Sequence, residues 1–164
     1  MSRATVFTAV GGKAALLKAA YDVAIVGDNE PIPLPDRPWA QVVREEPDPG
    51  RMLSLYAEMV TAIDARVSAI NEAVRGAAGA DAEARALWQE VQRQRHVGAA
   101  NVVAMLVARS GLRESADQSE AADILALFID PGLYFMLVTQ SGWTQGRFER
   151  WLAETLRAQL IGEV

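Results

Sequence analysis

Few side chains in this 164-residue chain are placed to do chemistry. It has no cysteine, so disulfides and thiolate metal sites are excluded, and this fits a reducing cytoplasm. Its one histidine, His96, has no His-Glu-x-x-His context, and Glu90 stands six residues before it rather than the three that an inward-facing carboxylate–histidine pair needs. Gly11-Gly12-Lys13 has neither the preceding strand nor the spaced glycines of a phosphate loop, and Ser141-Gly142 is not part of a Gly-x-Ser-x-Gly elbow. No group has a partner that would activate it. The expectation is a protein that is not an enzyme and carries no metal or cofactor.

The remaining chemistry is recognition, in two places. Residues 1–27 carry Arg3, Lys13 and Lys18 against Asp22, a net of +2 in a chain of −5, which leaves −7 on the rest. The acidic body repels phosphate, so either the first segment is the one plausible nucleic-acid surface or its three scattered cations are ordinary solvated helix charges. The second place is an apolar stripe, Trp88, Val91, Val102 and Leu106, interrupted by Arg95 and flanked by His96, Asn101 and Met105. A polar group on an apolar face suits a ligand anchored in a mostly apolar cavity, with Tyr56, Met59 and Ile63 as facing wall. Equally open at this point, Arg95 reaches solvent or pairs with Glu58 or Asp64, and His96 caps a neighbouring carbonyl.

Helices must position these groups. Ser2 caps a short helix, Arg3 to Ala9, that Gly11-Gly12 breaks, and a second runs from Ala14 to about Val26. Pro31, Pro33, Pro35 and Pro38 make a stiff connection to a short helix, Trp39 to Glu46. Asp48-Pro49 opens a long helix whose stripe, Met52, Tyr56, Met59, Ile63, Val67, Ile70 and Val74, faces a core and ends near Gly76 to Gly79. Asp81 caps the next helix, which Gly111 stops. Ser115-x-x-Gln118 reads as a capping box before Ala121 to Ile129, and Asp130-Pro131 starts a helix through about Gln140. Gly142 ends it, and Thr144 caps a last helix bearing Phe148, Trp151, Leu152, Leu156 and Leu160. No stretch alternates as a strand does. The fold class is all-α, with seven or eight helices. No run of eighteen apolar residues and no basic-then-apolar leader is present, so no membrane partner is expected.

The order Ser2-x-x-Thr5-Val6-Phe7-x-x-Val10-x-Gly12-Lys13-x-x-Leu16-Leu17 resembles the recognition helix and following helix start of TetR-family transcriptional regulators, whose usual pattern is Ser-x-x-Thr-Leu-Tyr-x-His-Phe-x-Ser-Lys-x-x-Leu. Phe7 and Ala9 stand where the family has tyrosine and histidine, so two phosphate contacts are lost. Glu120-Ala-Ala-Asp-Ile-Leu, Asp130-Pro-Gly-Leu-Tyr134, Gly142-Trp143-Thr144 and Phe148-x-x-Trp151-Leu152 resemble the C-terminal helices of one large branch of the family.

The resemblance implies a TetR-like helical bundle with residues 1–27 as a remnant of a helix-turn-helix DNA-binding domain and 28–164 as a ligand-binding and dimerisation domain. About two helices precede the recognition helix in the family and none is present here, so the expectation is an N-terminally truncated chain that does not bind DNA alone. Ser2, Arg3, Thr5, Phe7, Thr8 and Lys13 become the DNA-contacting set. Tyr56, Met59, Ile63, Trp88, Arg95, His96, Asn101 and Met105 become the effector-binding set, and Ile124, Leu125, Phe128, Phe148, Trp151, Leu152 and Leu156 the homodimer interface. The implied function is a cytoplasmic repressor that a small molecule releases from operator DNA. The alternative is a stand-alone helical ligand-binding or dimerisation module without DNA binding.

Overall fold

The computed structural model describes residues 13–28, 30 and 32–161. The DNA-contacting candidates Ser2, Arg3, Thr5, Phe7 and Thr8 lie outside them. Lys13 opens the first described helix, α1 (Lys13–Val26). There follow a 3-10 turn (Leu34–Asp36), α2 (Pro38–Glu45), α3 (Pro49–Ala77), α4 (Ala82–Ala108), α5 (Gln118–Phe128), α6 (Pro131–Tyr134), which passes into a π-helical segment (Phe135–Gln140), and α7 (Gln145–Leu160). Every regular element among the described residues is helical, as expected.

Four helix starts follow the expected chemistry: side-chain oxygens of Asp48, Asp81, Asp130 and Thr144 accept the otherwise unpaired amides of Arg51, Ala84, Gly132 and Arg147. Two expected signals are corrected. Asp117, not Ser115, caps α5, its carboxylate taking the amides of Ser119 and Glu120 at 2.8 and 3.2 Å. A carboxylate is the stronger acceptor at a helix N-terminus, where it also meets the positive end of the dipole. Gly111 follows α4 but does not supply its left-handed turn, since Ser110 does, at φ +53°. Glycine is needed at 111 for another reason: a Cβ there would stand 2.5 Å from Cβ and Cγ of Pro49.

The long α3 is the axis of the bundle. Near its start Met52, Leu53, Tyr56, Ala57 and Val60 pack with Val103 and Leu106 of α4 and with Phe148, Leu152, Leu156 and Leu160 of α7, the main core. Near its end Val67 and Val74 pack with Tyr21 of α1 and Leu87 and Val91 of α4, a smaller second core. The buried face of α3 is turned from the expected stripe. Met59, Ile63 and Ile70 sit at its margins, while Thr61, Asp64, Ser68 and Asn71 are inside. Polar side chains therefore lie in the interior between the two cores.

The proline-rich connection before α2 is pinned by Arg37, which is buried and donates to the carbonyls of Ile32 and Glu30 and, at 2.5 Å, to Asp28 Oδ2. That contact holds the Asp28 carboxyl below its ordinary range.

Gln118–Gln140 is long and apolar enough by composition to cross a membrane, although its sequence holds no uninterrupted apolar run of that length. In the fold it is two helices that meet at Asp130-Pro131.

Candidate functional site, a buried polar cluster at the centre of the bundle

Asp64 and Asn71 project from one side of α3 because they stand seven residues apart, two helical turns, with Ser68 between them. Tyr21 of α1 closes the cluster from one direction, its hydroxyl donating to Asn71 Oδ1 at 3.4 Å. From α4 comes Arg95. Its Nη2 meets Asp130 Oδ2 at 2.7 Å and also donates to Gln92 Oε1. Asp130 in turn spends Oδ1 on the Gly132 amide at 2.7 Å. Four elements thus converge on one polar interior.

The interior is incompletely paired. Asn71 Nδ2, Arg95 Nε and Arg95 Nη1 are buried donors without a partner, and Asp64 Oδ2 is a buried carboxyl oxygen without one. Each such atom costs about 1–3 kcal/mol, more where the group is charged, so folded proteins keep few of them. Burial pushes the Asp64 carboxyl well above its ordinary range, and the nearby Asp130 charge adds to this, while Arg95 opposes it. The Tyr21 hydroxyl is also pushed up, mainly by burial. The cluster therefore offers many donors, one fixed cation and a carboxyl that resists ionisation.

Beside the cluster lies a groove of about 310 Å³ formed by the end of α3, the start of α4 and the α5–α6 junction, with Trp88, Leu133, Met136 and Gln140 in its wall. Asp130 belongs to both places, and so stands between the groove and Arg95.

The expected effector set does not form one pocket. Arg95 is in the cluster and Trp88 in the groove next to it. Met59 and Ile63 line a different groove of about 320 Å³ with Trp39 and Val42 of α2. Tyr56 is buried in the main core, and Met105 packs against that core. His96 is exposed, its Nδ1 3.2 Å from the Gln92 carbonyl and its Nε2 3.4 Å from Asp123. Asn101 is exposed. Arg95 pairs with Asp130 rather than with Glu58, and Asp64 is close enough only to feel its charge.

The dimer set divides too. Leu125, Phe148, Leu152 and Leu156 have no exposed surface and fill this chain's own core. Ile124, Phe128 and Trp151 are half-buried, with Trp151 edge-on to Phe128 at 6.2 Å and to Trp143 at 6.0 Å. The large apolar side chains facing outward on these elements are Leu127 and Met136, 62% and 52% exposed.

Sequence reasoning had Asp64 only as a possible partner of Arg95, and missed Asn71 and the pairing role of Asp130. A signal existed: Thr61, Asp64, Ser68 and Asn71 recur at three- and four-residue spacing on an otherwise apolar helix. Among the described residues no group of acidic or histidine side chains is arranged to hold a metal. Comparison of the chain with family models, with characterised proteins and with solved structures finds no match.

Proposed function

We propose that this chain is the sensing and pairing body of a TetR-like transcriptional regulator, a homodimer that takes a small-molecule effector into the bundle and relays its presence to the Ser2–Lys13 segment. The observation that carries this reading is how α1 is held. That helix begins where the resemblance puts the helix following the recognition helix, and it is docked through polar contacts as well as apolar ones. Tyr21 reaches Asn71, and Arg66 donates to the carbonyls of Ala24 and Ile25 at 2.8 and 3.0 Å. Because Asn71 belongs to the unsaturated cluster, a ligand that re-pairs the cluster changes the contacts available to α1. A ligand with different affinities for two α1 positions shifts the balance between them, and the two recognition helices of a dimer then change spacing.

The pairing half of the reading is supported by Leu127 of α5 and Met136 of the π-helical segment, large apolar side chains left exposed at the rim of the Trp88 groove. Selection of random duplex DNA by the full-length gene product tests the regulator reading. The expected result is an enriched sequence of two half-sites whose affinity falls steeply with salt. No enrichment at low salt overturns it. A second reading, the stand-alone ligand-binding or dimerisation module, is favoured by Phe7 and Ala9 in place of phosphate-contacting side chains. A dimer that binds ligand and selects no DNA supports it.

A further inference from the structure

We infer that the effector is an amphipathic carboxylate, with its aromatic or alkyl body in the groove beside Trp88 and its anionic head on Arg95 in place of Asp130. This assignment rests on the sensing role proposed above, and its chemistry comes from the cluster itself.

The cluster is short of acceptors. Three of its four unpaired buried atoms are nitrogen donors and one is an oxygen. Two of the three donors belong to Arg95, a guanidinium that stays charged at any pH the protein meets. Its single carboxylate partner uses it poorly. Asp130 gives one oxygen to Nη2 because the other is held by the Gly132 amide, so the neighbouring Nε is left bare. A free carboxylate carries no such obligation. It can take Nη2 and Nε together, the two-bond fork that makes arginine the preferred partner of carboxylates.

Charge permits the exchange. Burial keeps the Asp64 carboxyl from ionising readily, so it adds little repulsion toward an incoming anion, and the groove's own carboxylate, Glu72, is paired with Arg75 at 2.5 Å. Asp130 has somewhere to go, since its side chain is 25% exposed and borders the open groove. The body of the ligand is set by the groove wall, where Trp88, Leu133 and Met136 offer apolar surface. Its volume of about 310 Å³ is at the lower end for small-molecule pockets, which favours a body of one ring or a short chain.

Calorimetric titration of the full chain, without DNA, with phenylacetate and octanoate, and with phenylacetamide and octanamide as neutral counterparts, tests the assignment. At least one acid is expected to bind saturably at millimolar concentration or below, with its amide about tenfold weaker or more. Asp130→Asn keeps the cap on α6 but removes the competing charge, and is expected to tighten acid binding several-fold. Arg95→Met is expected to abolish it. Equal affinity for acid and amide, no saturable binding of either acid, or an Asp130→Asn variant that binds the acid no better than the parent overturns the assignment. Acid binding by a protein that selects no DNA supports the carboxylate site while removing the regulator. A neutral compound that competes for the Trp88 groove and alters DNA affinity, with the acids inert, overturns the carboxylate site and leaves the regulator in place.

Discussion

Arg95 and Asp130 are joined by one contact, Nη2 to Oδ2 at 2.7 Å, that ties the middle of α4 to the junction of α5 and α6. Asp130 is also the cap of α6, so one carboxylate both starts a helix and holds a guanidinium. The joint matters because both side chains are largely withdrawn from solvent, Arg95 being 11% exposed.

Removing Asp130 is therefore expected to cost two interactions at once. Asp130→Ala should lower stability by about 2–4 kcal/mol, roughly 1 from the cap and the rest from the charge left on Arg95. Asp130→Asn should cost less, because asparagine caps nearly as well. Glu90→Ala breaks the exposed Arg93–Glu90 pair, which solvent screens, and should leave stability almost unchanged. Urea unfolding of the three variants checks the ranking, and an Asp130→Ala effect no larger than that of Glu90→Ala refutes it.

Asp64 makes stability depend on pH in an unusual direction. Its carboxyl is held above the ordinary 3.8 in the folded chain by burial and by Asp130, with Arg95 opposing and Tyr21 also close by. The folded state thus keeps a proton that the unfolded chain releases. As pH climbs above about 3.8, unfolding gains from that release, so the contribution of Asp64 to stability falls until the buried carboxyl itself ionises. Asp64→Asn, which resembles the protonated acid, removes the loss. The variant should gain on the parent as pH rises from about 4, by at most about 1.4 kcal/mol per pH unit. Thermal or urea unfolding across pH 4 to 8 measures it, and a stability difference that is flat or shrinks with pH contradicts the expectation.

Helix order and most caps were legible in the sequence because they rest on local rules: Asp48, Asp81, Asp130 and Thr144 each sit where an exposed amide needs an acceptor. The rotation of α3 was not legible. Apolar periodicity points to Met59 and Ile63, yet a buried polar ladder is stable only if other helices bring partners to it, and those partners, Tyr21, Arg95 and Asp130, come from distant parts of the chain. Arg95 was legible as the odd residue on an apolar stripe. Its partner was not, because a carboxylate already explained as a helix cap gives no sign that it has a second role. The dimer set divides for the same reason, Leu125, Phe148, Leu152 and Leu156 filling this chain's own core, since periodicity locates an apolar face without saying whether α3 or another subunit covers it.

Gly111 is expected to resist substitution although it is not in a left-handed conformation. A methyl group at this position would meet the Pro49 ring at 2.5 Å, and Pro49 is fixed as the first residue of α3. Gly111→Ala should therefore force the α4–α5 loop away from α3 and cost about 1–3 kcal/mol, as overpacking does. Gly76→Ala, where a methyl group would meet nothing within 4 Å on a helix surface, is expected to be neutral or stabilising by up to about 1 kcal/mol. Chemical denaturation of the pair distinguishes steric exclusion from a general preference for glycine, and equal effects at the two sites would rule out the steric account.

Pairing and folding draw on different residues of the same helices, which makes them separable. Leu127 and Met136 are exposed on the described chain, so a Leu127→Glu, Met136→Glu double variant should leave the unfolding midpoint of the subunit unchanged within about 0.5 kcal/mol. Two charges placed in an apolar contact with a second copy would nevertheless stay unpaired and desolvated, and each would weaken association by several kcal/mol. Leu152→Ala should behave oppositely. Leu152 has no exposed surface and lies against the main core, so its loss should cost about 2–5 kcal/mol of subunit stability. Sedimentation at micromolar concentration, with urea unfolding of the same samples, reads both quantities. A monomeric double variant beside a dimeric parent places the interface on this outward face, whereas a dimer indifferent to both charges moves it elsewhere.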